Sequence, residues 1–217
     1  KRIKSSKSDN ALISWGSNIN EGSLVLDIGS NIGLLSIYLA KKNINVIAIE
    51  PDLSNYLLLI QNIKLNNLEN KIKSYPIAVN KKGIKYSRLF YGYESAIELI
   101  TSGRGDSSLL VENNNKNIGS YTVASIDLLS LINDHSQKIT HIKIDIEDSI
   151  YLIINDIKSL IKERTIVSFY IELTNNKKFL KFNNELIKYA KEFEYNVLIN
   201  NERSVSTDYI FSKKYKK

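Results

Sequence analysis

Residues 22–33 read GSLVLDIGSNIG. The apolar run Leu24-Val25-Leu26 closes on an acid, Asp27. A turn spaced by two glycines follows, Gly29 and Gly33, with Ser30 and Asn31 between them. These are the parts of a ligand cradle. Gly29 lets the backbone turn tightly and approach a ligand, and Gly33 lets the next helix pack close. Asp27 and the helix N-terminus supply polar groups. A second apolar run, INVIAIE, ends in Glu50, 23 residues after Asp27, and is followed by Pro51. An acid at that distance meets ribose hydroxyls in nucleotide-binding folds. The turn lacks the paired Gly-x-Gly that admits a pyrophosphate, and no Gly-x-x-x-x-Gly-Lys-[Ser/Thr] phosphate loop is present. A ligand with a ribose and no phosphate fits this pattern, and S-adenosylmethionine is such a ligand. Tyr75, Pro76 and Ile77 end the third apolar run, where an adenine would lie, so Ile77 joins the candidate cofactor residues.

A second group of acids lies further on, in HIKIDIE (141–147). Strand side chains alternate, so Ile142, Ile144 and Ile146 share one face and His141, Lys143, Asp145 and Glu147 the other. Polar groups inside a central strand need partners, and Lys143 with Asp145 form such a pair. Methyl transfer to a hydroxyl requires alignment of the acceptor and a group that takes its proton. Asp145, Glu147 and Glu172, the last at the end of the next strand, are the candidate bases. Asp145 with Glu147 has the chemistry to hold a divalent cation, but two carboxylates alone do not assign a metal site. His141 begins its strand and is expected at the opposite end of the sheet; His135 is expected in a loop.

The elements that must position these groups alternate. SLVLDI, INVIAIE, KIKSYPIAV, THIKIDIE and TIVSFYIEL read as strands. NIGLLSIYLAKKN, LSNYLLLIQNIKLNNL (capped by Asp52 or Ser54), SIYLIINDIKSLIKE and NNELIKYAKEFEY read as helices. NVLIN and DYIFSK are late strands. SIDLLSLIND reads as a short helix capped by Ser125, with Asp127 capping or flanking it. Residues 80–120 are less regular: KYSRLFYGY suggests a strand and GRGDSSLLVENNN a loop. Alternation of this kind implies an α/β fold with a mostly parallel sheet and right-handed crossovers. The expectation is one domain over 1–217, with 1–21 as an N-terminal helix or extension.

Three segments, VLDIGSNIGLLSIYLA, VIAIEPDLSNYLLLIQNIKLNN and HIKIDIEDSIYLIIND, together resemble the FkbM family of S-adenosylmethionine-dependent methyltransferases. The likeness runs from about Gly22 to Glu172. SSLL (107–110) and YTVASIDLL (121–129) fall in the family's order. The resemblance implies a Rossmann-like class I methyltransferase with a seven-stranded sheet, helices on both faces and a reversed last strand. It also implies methyl transfer to a hydroxyl of a sugar, glycan or small metabolite. The family pattern is Asp-Val-Glu-Gly-x-Glu. Here Asp145 and Glu147 match it, while Asp148 replaces the glycine and Ile150 the final glutamate.

Composition narrows the classes. The 217 residues include no Cys, which excludes disulfides and thiolate chemistry, and two His leave little room for a His-based metal site. No apolar run is long enough to span a membrane, and a soluble, cytoplasmic protein is expected. The chain opens on Lys1 rather than Met, so a trimmed start or a piece of a longer protein is expected. The net charge of +7, concentrated at the termini, keeps nucleic acid open as a partner beside a small-molecule or glycan acceptor. The alternatives to O-methylation of a metabolite are an RNA methyltransferase and a non-catalytic S-adenosylmethionine-binding domain.

Overall fold

A computed structural model describes residues 7–92, 107–108 and 117–214. Its main sheet is built around β1 (Leu24–Ile28), whose five residues are all buried. Two parallel neighbours flank it, β2 (Asn45–Ile49) and β8 (His141–Ile144). The sheet extends beyond β2 to β3 (Ile72–Tyr75). Beyond β8 it extends to β9 (Ser168–Thr174), β11 (Ser206–Lys213) and β10 (Tyr195–Glu202). β11 runs antiparallel to both β9 and β10, so the expected reversed last strand is present.

Side-chain alternation along the strands divides the core between two faces. Leu24, Leu26, Ile28, Ile142 and Ile144 pack on one face with Leu128, Ile157 and Leu186. Those three come from α4 (Leu128–Asn133), α5 (Ile154–Glu163) and α6 (Leu180–Glu192). Val25, Val46 and Ala48 pack on the other with Trp15, Leu35 and Leu59. These belong to α1 (Lys7–Ser17), α2 (Leu34–Lys41) and α3 (Leu53–Leu65). Trp15 also donates its Nε1 hydrogen to Ser168 Oγ at 3.1 Å, tying α1 to the amino end of β9. His141 lies at that same end, against the Trp15 ring, as its place in the strand predicts.

A second sheet holds β4 (Ala78–Asn80), β7 (Asn117–Asp127), β5 (Tyr86–Gly92) and β6 (Ser107–Ser108). It corrects the sequence reading in two places. KIKSYPIAV is two strands in two sheets, not one. Pro76 has no amide hydrogen and a fixed φ, and the chain leaves β3 there to pair Ala78 with Ser125 of β7. The helix expected to be capped by Ser125 begins later. Ser125 lies within β7, its hydroxyl 2.8 Å from that of Ser87, and Asp127 caps α4 by accepting from the Ser130 amide at 2.9 Å. The stretch read as a loop lies outside the described residues, apart from Ser107 and Ser108 in β6.

SIYLIINDIKSLIKE is likewise not one helix. A 3-10 turn, Glu147–Leu152, precedes α5, with the break at Ile153. Ile153 and Ile154 are adjacent β-branched residues, which crowd a continuous helical turn. Glu147 therefore leaves the strand face assigned to it and sits at φ +48° beyond the end of β8.

Candidate functional site

The chain runs outward from β1 through β2 to β3 and then returns to the other side of β1 as β8. The carboxyl ends of β1 and β8 therefore flank the point where strand order reverses, where open parallel sheets bind ligands. Gly29 is at φ +75° in the turn after β1. Its amide and that of Ser30 donate to the Ile49 carbonyl at 2.9 and 3.0 Å, which locks the turn onto the end of β2. Asn31, at φ +50°, donates its amide to Glu50 Oε2 at 2.8 Å, and its own Oδ1 accepts from the Ile32 amide at 2.7 Å. Gly33, at φ +90°, caps α2. The Ser30 hydroxyl is buried and has no hydrogen-bond partner among the described residues.

Glu50 is buried. Its Oε1 accepts from the Asp52 amide at 2.9 Å. Burial pushes its carboxyl up to about 7, against the pull of the two amides that donate to it. Asp52 caps α3 by accepting from the Ser54 and Asn55 amides, both at 3.0 Å. Tyr121 of β7 reaches the same helix start. Its hydroxyl accepts from the Leu53 amide at 2.9 Å and donates to Asp52 Oδ2 at 3.3 Å. The second sheet is thereby anchored beside Glu50. Pro51 follows the end of β2 and Ile77 the end of β3, both half-buried on the same edge.

Asp27 is buried, with no exposed surface. The Ser36 hydroxyl donates to its Oδ2 at 2.6 Å. Its Oδ1 has no hydrogen bond among the described residues, but it lies 3.4 Å from the Lys143 ammonium. Lys143 also lies 3.4 Å from Asp145 and donates to the Gly29 carbonyl at 2.6 Å. Burial pulls the Lys143 pKa down. The Asp145 and Asp27 carboxylates more than reverse this and hold it above its ordinary value. The expected Lys143–Asp145 pair is thus one arm of a bridge joining β1, the glycine turn and the end of β8.

At the carboxyl ends of β8 and β9, the carboxylates of Asp145, Glu147 and Glu172 (the last within β9) converge, with ligand atoms within 4.8 Å of one another. Burial, and then the Asp145 charge, push Glu172 up to about 7. Arg203, in the turn between β10 and β11, contacts Glu172 Oε1 and Asp208 Oδ1, each at 2.8 Å. Arg203, Ser36 and Tyr121 were not singled out from the sequence. No local pattern marks them: Arg203 and Tyr121 reach the site through pairing between distant strands, and Ser36 reaches Asp27 from the first turn of α2.

Residues 5–93 match the family model of the TRM5/TYW2 methyltransferase domain, a segment that includes the glycine turn and Glu50. The fold is that of the class I methyltransferases. Among solved structures, the chain is similar to one described as a candidate rRNA methylase from Clostridium thermocellum. The TM-score is 0.57 at 8% identity, covering 98% of each chain. TrmK from M. capricolum, solved with S-adenosylhomocysteine, gives a TM-score of 0.52 at 13% identity and covers 96% of this chain and 69% of that one. A precorrin-6y C5,15-methyltransferase from Geobacter metallireducens gives 0.53 at 10%, covering 98% and 92%. The chain spans from 69% to 98% of the length of these three structures. No curated protein matches it in sequence. S-adenosylmethionine, the cofactor read from the glycine turn and Glu50, agrees with the methyltransferase-domain match. The narrower FkbM resemblance has no counterpart among these matches. No helix of the described residues is long and apolar enough to cross a membrane.

Proposed function

We propose that the protein is an S-adenosylmethionine-dependent methyltransferase acting on a hydroxyl oxygen. One observation carries this reading: the glycine turn joined to Glu50 lies beside the convergent carboxylates of Asp145, Glu147 and Glu172. The turn suits the cofactor. The buried Ser30 hydroxyl lacks a partner, and each Glu50 oxygen accepts one backbone amide and keeps a second lone pair for a ribose hydroxyl. Bound there, S-adenosylmethionine supplies a methyl group already activated by its sulfonium. Glu172, raised to about 7, is poised to take the acceptor's proton near neutral pH. Arg203 fixes the orientation of Glu172, and Lys143 that of Asp145. Titration of S-adenosylmethionine into the protein by calorimetry should show saturable binding; none would end this reading.

Glu50 gives that binding a pH dependence. Its carboxylate must be ionised to accept ribose hydroxyls, and its pKa is raised to about 7. Cofactor affinity should therefore rise with pH, by about tenfold between pH 6 and pH 8. Glu50→Gln should bind more weakly at pH 8 and show little of this dependence. An affinity in the wild type that does not change with pH would contradict the role given to Glu50.

A further inference from the structure

The acceptor side of the site carries a feature that the reaction itself does not use. Residues 177–182 read Lys-Lys-Phe-Leu-Lys-Phe and connect the carboxyl end of β9 to the first turn of α6. Phe179 is buried and stacks face to face on Tyr151, with ring centroids 3.9 Å apart and planes 2° from parallel. Tyr151 belongs to the 3-10 turn that opens with Glu147, and its hydroxyl donates to Asn183 Oδ1 at 2.6 Å. Asn183 in turn donates to the carbonyl of Thr174, two residues past Glu172, at 2.8 Å. The segment is therefore fastened to the same strand ends that bear the carboxylates.

Phe182 flanks the stacked pair, its centroid 6.1 Å from Tyr151 and 6.5 Å from Phe179, yet it is 46% exposed. Lys177, Lys178 and Lys181, its neighbours in sequence, are exposed, and the Lys178 ammonium lies 4.9 Å from the Phe179 ring centroid. A half-exposed aromatic ring beside a stacked aromatic pair, within a run that carries three exposed lysines, suits single-stranded nucleic acid. Bases stack on the ring and phosphates meet the lysines. A lipid surface would call for a broader apolar face than Leu180 and Phe182, the exposed apolar side chains of this segment, provide.

We infer that this rim binds single-stranded RNA and that the acceptor hydroxyl is carried on that RNA. The second half of the inference rests on the methyltransferase reading; the first does not. The test is fluorescence anisotropy with a labelled oligouridine of about twelve nucleotides, between about 50 and 200 mM salt. Phe182→Ala should weaken binding about tenfold, and Phe182→Tyr should restore it. Alanine at Lys177, Lys178 and Lys181 together should flatten the slope of log affinity against log salt by about 2. Alanine at three exposed lysines elsewhere, Lys41, Lys64 and Lys162, removes the same net charge and should leave affinity within about twofold.

Equal losses in the two triple variants would reduce the effect to net charge and overturn the inference. So would tight binding to phosphatidylserine vesicles with no binding to the RNA. Calorimetry with S-adenosylmethionine on the same variants should match the wild type, because the rim lies outside the cofactor turn. If the wild type binds RNA through Phe182 but no S-adenosylmethionine, the RNA surface stands and the enzymatic reading falls. If it binds the cofactor but no RNA, the reverse holds.

Discussion

Replacing Lys143 by methionine is expected to lower the free energy of unfolding by about 3–5 kcal/mol. Methionine approximates the length of the lysine stem, so the effect is chiefly electrostatic. Asp27 has no exposed surface, and Lys143 is the cation beside it at 3.4 Å. Without Lys143, one hydroxyl from Ser36 remains for a charge held inside the sheet. The Gly29 carbonyl and Asp145 lose a donor and a counter-ion in the same step. The check is urea unfolding of wild type, Lys143→Met, and Lys143→Met combined with Asp27→Asn. The double variant should recover much of the loss, because it removes the charge left unpaired. A Lys143→Met midpoint equal to wild type would mean that Asp27 does not depend on Lys143.

Gly29→Ala should have the next largest effect. A β-carbon there would lie 1.9 Å from the backbone oxygen of Asp145, and a backbone cannot swing aside as a side-chain tip can. The position also has φ +75°, which costs an L-residue about 1–2 kcal/mol before any clash. Relief requires the turn after β1 to part from the end of β8, which separates the cofactor turn from the acids. Binding of S-adenosylmethionine should fall by about a hundredfold or more, since a displaced turn takes the Asn31 amide from Glu50. Gly33→Ala is the comparison. Its β-carbon would meet Leu59 Cδ1, the tip of a side chain rather than backbone, so a small shift of Leu59 and α2 is expected to relieve the contact. Melting curves and calorimetry on both variants should rank Gly29→Ala as the worse; the opposite ranking would refute this account.

Much of this architecture was legible in the sequence because it is written locally. The runs around Leu26, Ile47 and Ile142 announce buried strands, and Gly29 and Gly33 mark a turn that only glycine fits well. Glu50 is found by its distance from Asp27. The misreadings share a cause. Whether the chain continues through Pro76, or whether Ser125 belongs to a strand or a cap, depends on which distant strand is available as a partner. Ser125 is in β7 because Ala78 pairs with it there. Arg203 stands in an ordinary turn sequence, and only the pairing of Asp208 with Glu172 across β11 and β9 brings it to the acids. The burial of Asp27 was likewise hidden, since the same strand-end acid would serve equally well facing a ligand.

The reversal of β11 has a consequence for the order in which the site is made. A chain emerging from the ribosome presents the glycine turn and Glu50 first, then Lys143 and Asp145, then Glu172. Arg203 follows all of these, and it reaches Glu172 only when the β10–β11 hairpin turns back along β9. Until that hairpin forms, the converging carboxylates lack the guanidinium that later lies among them. The part that would recognise the cofactor is thus specified before the part that would handle the acceptor, which is completed only by β11.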